Sequence, residues 1–307
     1  MLIAQLKLLQ IMLGGVNNRL KLRSKFVNKS KGMKAKYINP FTDFGFKKIF
    51  GEEASKPMLI DFLNSLLPET NIVDLSFKDK EKLGKREEDR KAVYDIYCQN
   101  ANGEKIIVEL QKAKQKYFKD RTIYYSSFPI QEQADRGGWN YELKAVFCIG
   151  ILNFKFDEDK DALGEVIHTV QLKDQHNQLF YDKLKFVYLE MPHFNKQEQE
   201  IETRLDKWLY FIKHLEDFQN IPAIFKDEIF DQAFELAEIA NLNELEKNEY
   251  EQSLKIFRDY NNTIDTAFDE GKMEGKMEVA KTLKENGVAT DIIMKSTGLS
   301  KEQIDNL

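Results

Sequence analysis

The chain has 307 residues, of which 42% are hydrophobic and 32% charged, and its formal net charge is −5. This composition is typical of a soluble globular protein of one or two domains and excludes a long disordered chain. It also excludes a basic nucleic-acid coat, so any DNA contact must come from a local basic patch. Cys98 and Cys148 lie in apolar runs, which predicts reduced core cysteines in a cytoplasmic protein. No apolar run in the sequence is long enough to span a membrane.

Residues 1–32 form a basic extension, with seven Lys or Arg, no acidic residue and an apolar stretch at 2–13. A signal peptide carries its charge before the apolar stretch, whereas here most of the charge follows it. We interpret the extension either as an over-extended start, with Met33 as the true first residue, or as an amphipathic anchor.

A helix is predicted from Thr42 or Asp43 to Gly51. Asp43 would lie at the positive end of the helix, either as its N-cap or as an acidic site residue. A second helix is predicted over 56–67 and a strand over 71–77. A charged run follows at 79–91 and is predicted to be a solvated loop.

Two strands, 93–98 and 106–110, are predicted to form a hairpin around an Asn-Gly turn at 102–103. Both strands are apolar on both faces, which is typical of a sheet covered on both sides. Each strand nevertheless carries one carboxylate, Asp95 or Glu109. A buried carboxylate without a partner is very costly, so this pair indicates a specific role.

A three-residue loop at 101–103 would place Asp95 directly opposite Glu109, with Cβ atoms about 5 Å apart. Gln111 would share their face of the sheet. Two anions at this distance repel unless a cation lies between them, and Mg²⁺ or Mn²⁺ suits oxygen ligands. Two alternatives remain open: a two-residue loop would put the carboxylates on opposite faces, and a rim pair could be neutralised by a nearby Lys or Arg.

Five basic residues lie within the ten residues 112–121, just past Glu109, and a basic helix beside a metal site is where a phosphodiester backbone would be held. The alternative is an ordinary exposed helix start. The five basic residues of this segment are Lys112, Lys114, Lys116, Lys119 and Arg121. Beyond it a helix is predicted over 117–134, broken at 135–138, and strands are predicted over 145–152, 166–172 and 184–190.

From about residue 196 helical periodicity replaces the strand pattern, with helices predicted over 201–215, 222–234 and 245–268. A glycine-containing repeat of period four at 269–278 predicts either a flexible linker or close approach to a helical partner. The last residues predict two short helices joined by a turn, like a helix-turn-helix in outline.

Several motifs, in this order along the chain, resemble the Rpn family of recombination-promoting nucleases and putative transposases, a branch of the PD-(D/E)XK nuclease superfamily. The resemblance covers residues 38–154 and extends to the glycine-containing C-terminal tail. Its motifs are DFGFKKIFG at 43–51, YDIYC around Asp95, VELQ around Glu109, YFKDRTIYY at 117–125 and AVFCIGILNF at 145–154.

The resemblance implies an α/β fold, with a restriction-endonuclease-like mixed sheet flanked by helices and followed by an all-α C-terminal region. It implies a metal-dependent DNA endonuclease that promotes recombination, in which Asp95 and Glu109 hold Mg²⁺ or Mn²⁺. Gln111 would complete an E-x-Q motif and Asp43 would be the acidic residue of the first helix. The implied organisation is a basic extension at 1–32, a nuclease domain at 33–195, a helical region at 196–284 and a tail at 285–307.

The chain departs from the wider superfamily, which has Lys where this chain has Gln111. A glutamine can orient a water but supplies no positive charge. Lys47, Lys114 or Arg121 could supply the missing charge, whereas Lys112 is expected on the opposite face from Gln111. The candidates for DNA contact are Lys47, Lys112, Lys114, Lys116 and Arg121. The alternative function is a catalytically inactive nuclease fold that binds DNA or protein through its helical half, where homo-oligomer contacts are also expected.

Overall fold

The computed structural model describes residues 35–79, 81–82, 92–134, 140–156 and 164–307. The predictions for residues 1–32, for most of the charged run at 79–91 and for the break at 135–138 lie outside these residues. The chain divides into two compact units, of which one comprises residues 35–257 and the other includes residues 258–307. Across the described residues no helix is both long and apolar enough to cross a membrane.

The first unit begins with helix α1 (Asp43–Phe50) and helix α2 (Lys56–Leu66). The Thr42 hydroxyl accepts a hydrogen bond from the Gly45 N–H at 3.0 Å, so Thr42 is the N-cap of α1. The alternative that Asp43 caps this helix is therefore wrong, because Asp43 is its first helical residue.

Among the described residues, a mixed sheet of six strands forms the centre of the first unit. Its strands are β1 (Leu75–Phe77), β4 (Ile96–Asn100), β5 (Lys105–Gln111), β6 (Val146–Leu152), β7 (Ile167–Lys173) and β8 (Leu179–Glu190). A separate short pair is formed by β2 (Glu81–Lys82) and β3 (Ala92–Val93). The six strands lie in the order β1-β4-β5-β6-β8-β7. Strands β5, β6 and β8 run parallel to one another, whereas β1, β4 and β7 are antiparallel to their neighbours.

The hairpin of β4 and β5 has the register that a three-residue loop predicts. Ile96 lies opposite Val108 and Tyr97 lies opposite Ile107. Gly103 has a φ of 83°, a left-handed conformation that glycine adopts without strain. The alternative of a two-residue loop is therefore wrong, and the carboxylates are not placed on opposite faces.

Helices cover both faces of the sheet, as the doubly apolar strands predict. One face packs on α1, α2, α4 (Arg204–His214) and α5 (Glu228–Ala237) in one continuous core. The other face packs on α3 (Phe118–Gln131). The predicted mixed sheet flanked by helices is confirmed, although β1 covers only the end of the strand predicted at 71–77. The predicted domain boundaries stay predictions.

Helix α6 (Glu244–Glu285) is continuous through Gly271 and Gly275. The flexible-linker interpretation of the 269–278 repeat is therefore wrong. In the second unit α7 (Thr290–Thr297) and α8 (Lys301–Asp305) follow, and a small apolar core joins them to the end of α6. These are the two short helices joined by a turn that the sequence predicts.

Candidate active site

The candidate site lies at the carboxyl end of β5, which places Glu109 and Gln111 beside each other on one face. Asp95 lies in the bend immediately before β4, the antiparallel neighbour of β5. The three residues predicted from the hairpin therefore meet at one edge of the sheet.

Two hydrogen bonds tie Asp95 to β5. The Leu110 N–H donates to Asp95 Oδ2 at 2.7 Å, and the Asp95 N–H donates to Glu109 Oε1 at 3.3 Å. The first bond stabilises the ionised form of Asp95, and the second fixes the Glu109 carboxylate against the Asp95 main chain. Both of these bonds are donated by main-chain N–H groups of the described residues.

The pair is electrostatically unfavourable when both members are ionised. Glu109 is only 9% exposed, and burial, followed by the charge of Asp95, raises its pKa to about 8. Burial also raises the pKa of Asp95, and the charge of Asp43 adds to that rise. A bound cation would relieve this repulsion and allow both carboxylates to ionise.

The donor set fits a hard divalent ion. Among the described residues no group of three or more His, Cys, Asp or Glu side chains is arranged to hold a metal. Mg²⁺ does not need such a group, since it is usually held by one or two carboxylates and completes its shell with waters and substrate phosphates. Asp95 and Glu109 supply those carboxylates.

Arg121 brings positive charge to the E-x-Q motif. The Gln111 Nε2 donates to Glu109 Oε2 at 3.3 Å, and the Arg121 Nη2 donates to Gln111 Oε1 at 2.5 Å. The Arg121 charge opposes the rise in the pKa of Glu109. Of Lys47, Lys114 and Arg121, among which the sequence did not distinguish, Arg121 is the one that contacts Gln111.

Helix α1 adds a second charged pair beside Asp95. Lys47 Nζ lies 2.9 Å from Asp43 Oδ2, and the Asp43 side chain is 54% exposed. The charges of Lys47 and Lys112 both oppose the rise in the pKa of Asp95. Lys112, which is expected on the face of the sheet opposite Gln111, therefore lies close enough to Asp95 to lower its pKa.

The rest of the basic segment is exposed and largely precedes the helix. Lys114 and Lys116 lie between β5 and α3, so the predicted basic helix is a basic loop over this part. Lys116 Nζ lies 5.4 Å from the centre of the Tyr117 ring, and the Tyr117 side chain is itself exposed. Both lysines are exposed beside the site, where a backbone phosphate could reach them.

A cavity of about 20 Å³ lies beside Glu109, between the sheet and α3. It can hold one water-sized group. Thr122 Oγ1 and the Tyr188 hydroxyl, 2.9 Å apart, form part of its wall, together with Cys148. Tyr188 was not predicted as a site residue, because β8 is remote in sequence and nothing local signals its position.

One of three comparisons with known proteins identifies a family. The model of the family described as PD-(D/E)XK nuclease family transposase matches residues 40–267. Comparisons with curated proteins and with solved structures give no match.

Proposed function

The chain belongs to the PD-(D/E)XK nuclease family transposases, and from that premise we propose that it is a Mg²⁺-dependent DNA endonuclease that promotes recombination. The observation that carries the proposal is the position of Asp95 beside Glu109 at the carboxyl end of β5, where the Asp95 N–H donates to Glu109 and the Leu110 N–H donates to Asp95. Nucleases of this family generally use divalent metals, and Mn²⁺ is the alternative ion.

When bound by Asp95 and Glu109, the ion would lower the pKa of a bound water and neutralise charge on the phosphoryl oxygens. Gln111 holds the Glu109 carboxylate through its amide N–H and is itself held by Arg121. The Arg121 guanidinium therefore places a fixed positive charge beside the metal carboxylates, where the superfamily lysine is missing.

The flanking basic residues support binding of the DNA backbone. Lys47 and Lys112 lie close enough to Asp95 for their charges to influence its pKa. Lys114 and Lys116 are exposed on the adjacent loop. We propose that these four lysines contact phosphates and so position the duplex over the carboxylate pair. A cytoplasmic location is proposed on the same basis, because DNA would be the substrate.

The proposal is tested by incubating the full chain with supercoiled plasmid, with Mg²⁺, with Mn²⁺ or with EDTA. We expect metal-dependent nicking or linearisation that Asp95→Ala abolishes while DNA binding, measured by fluorescence anisotropy, is retained. Glu142→Ala is the matched control, since it removes an exposed carboxylate preceding β6, at the other end of the sheet. If the wild type and Asp95→Ala are equally inert with either metal and both bind DNA, the protein is an inactive binding module instead.

A further inference from the structure

The central part of α6 carries a narrow face of exposed apolar side chains. Tyr260, Ile264 and Phe268 are 36%, 45% and 61% exposed. At about 100° per residue, all three fall within about 40° of one line along the helix. Large apolar side chains grouped on one exposed helix face are typical of a protein-interaction surface.

Two glycines continue the same face. Gly271 and Gly275 lie within about 20° of Ile264 around the helix axis. A Cβ added at either glycine would meet no described atom within 4 Å. Glycine is the least favourable residue for a helix interior after proline, so its presence twice on the apolar face needs a packing reason. Each glycine leaves a shallow depression beside the large side chains.

We propose that this face binds the same face of a second copy of the chain, with the two helices antiparallel. In that arrangement Ile264 of one copy faces Gly271 of the other, and Tyr260 faces Gly275. Tyr260 and Ile264 then each fill a depression opposite them, Phe268 lies beside the Phe268 of the other copy near the two-fold axis, and the axis repeats these contacts. The face is therefore complementary to itself, as a two-fold interface must be.

The charges beside the face favour the antiparallel orientation. In it Asp265 of one copy lies diagonally across from Lys272 of the other, on the same flank, and the symmetry axis repeats this pair. A parallel, in-register pair would instead bring Asp265 close to Glu270 on the opposite flank, and would leave glycine facing glycine. The antiparallel contact brings opposite charges together, whereas the parallel contact brings like charges together. The charges therefore favour the antiparallel dimer.

The oligomeric state of the full chain tests the proposal by sedimentation velocity over a range of micromolar concentrations. We expect a dimer for the wild type. Ile264→Glu and Gly271→Leu should each weaken association by about tenfold or more, the first by placing a charge in the contact and the second by filling the depression. Leucine also forms helices better than glycine, so circular dichroism of Gly271→Leu should show no loss of helix.

Met273→Glu is the matched control, since Met273 is exposed on the opposite side of the same helix. It should dimerise as the wild type does. The charge pair tests the orientation: Asp265→Lys and Lys272→Asp should each weaken the dimer, and the double variant should restore it.

A wild type that remains monomeric would overturn the proposal, as would a dimer that Ile264→Glu and Gly271→Leu leave intact. A chain begun at Met33 that dimerises while the full chain does not would likewise overturn the proposal, because residues 1–32 rather than a second copy would then occupy the face. Failure of the double variant to restore the dimer would overturn the antiparallel orientation. None of these outcomes depends on nuclease activity, so they are separate from the test of the proposed function.

Discussion

Arg121 Nη2 donates a hydrogen bond to Gln111 Oε1 at 2.5 Å, and Gln111 in turn donates to Glu109. The glutamine therefore connects a cation on α3 to the Glu109 carboxylate on β5, which we propose as a metal ligand. Its carboxamide has a donor for the glutamate and an acceptor for the arginine, whereas a lysine in its place would have only donors. This connection explains how a chain with Gln111 can still place positive charge at the site.

Removing the guanidinium should therefore reduce catalysis without preventing folding. We expect Arg121→Ala to lower kcat for plasmid cleavage by about 10²-fold, the usual cost of losing one charge-stabilising donor. Arg121→Lys should recover part of that loss. The Arg121 charge opposes the rise in the pKa of Glu109, so its removal should move the acidic limb of the pH–rate profile to higher pH.

Lys119→Ala is the matched control for the loss of one positive charge on α3. Its pH–rate profile should coincide with that of the wild type. An Arg121→Ala profile that does not move would show that the arginine does not act through Glu109.

The raised pKa of Glu109 makes folding stability depend on pH in the absence of metal. The group titrates at about 8 when folded, against an ordinary value of 4.5. The folded state therefore binds this proton more tightly than the unfolded state does. Protonated Glu109 contributes its full stabilisation to the free energy of unfolding below pH 4.5. This contribution falls by up to about 5 kcal/mol as the pH rises to 8, and above that pH it no longer changes.

Thermal unfolding in EDTA at several values between pH 4.5 and 8 measures this contribution, with Glu109→Gln as the reference. The glutamine variant should lose less stability than the wild type over the same interval. Because Asp95 and Glu109 influence each other's titration, the difference between the two profiles measures the carboxylate pair and not the remaining titrating groups. Parallel profiles would contradict the raised pKa.

The site divides into a part that local sequence predicts and a part that it does not. Asp95, Glu109 and Gln111 were predicted because one tight turn determines which residues of a hairpin lie opposite each other. The contact between Arg121 and Gln111 depends instead on how α3 crosses the sheet. Tyr188 reaches the same cavity through the order of parallel strands, which no local pattern encodes.

The glycine repeat shows the converse limit. Propensity alone favours a linker at Gly271 and Gly275, yet α6 is continuous there. Whether a helix continues depends on the summed preferences of the neighbouring residues and on tertiary packing. A single glycine lowers the stability of the helix but does not by itself end it.

Gly150 is predicted to be indispensable to the wall of the cavity beside Glu109. It pairs with Glu109 across β5 and β6, and a Cβ added there would lie 2.9 Å from Tyr188 Cδ1. Gly150→Ala should therefore displace the Tyr188 ring and destabilise the fold by about 1–3 kcal/mol, measured by urea unfolding. Ser127→Ala, at a half-buried position of α3 where the hydroxyl donates to the Tyr124 carbonyl, should change stability by less than about 0.5 kcal/mol. Equal stability of the two variants would contradict this assignment.

Metal binding can be separated from cleavage by titrating Mn²⁺ into the full chain without DNA, using calorimetry at pH 8. The wild type should bind Mn²⁺, and Asp95→Asn and Glu109→Gln should each lose most of that affinity, because each removes one of two ionised ligands. Because Glu109 must release its proton to bind, affinity should fall as the pH is lowered from 8 to 6. An affinity that is the same at both values, or that survives in Glu109→Gln, would place the metal elsewhere.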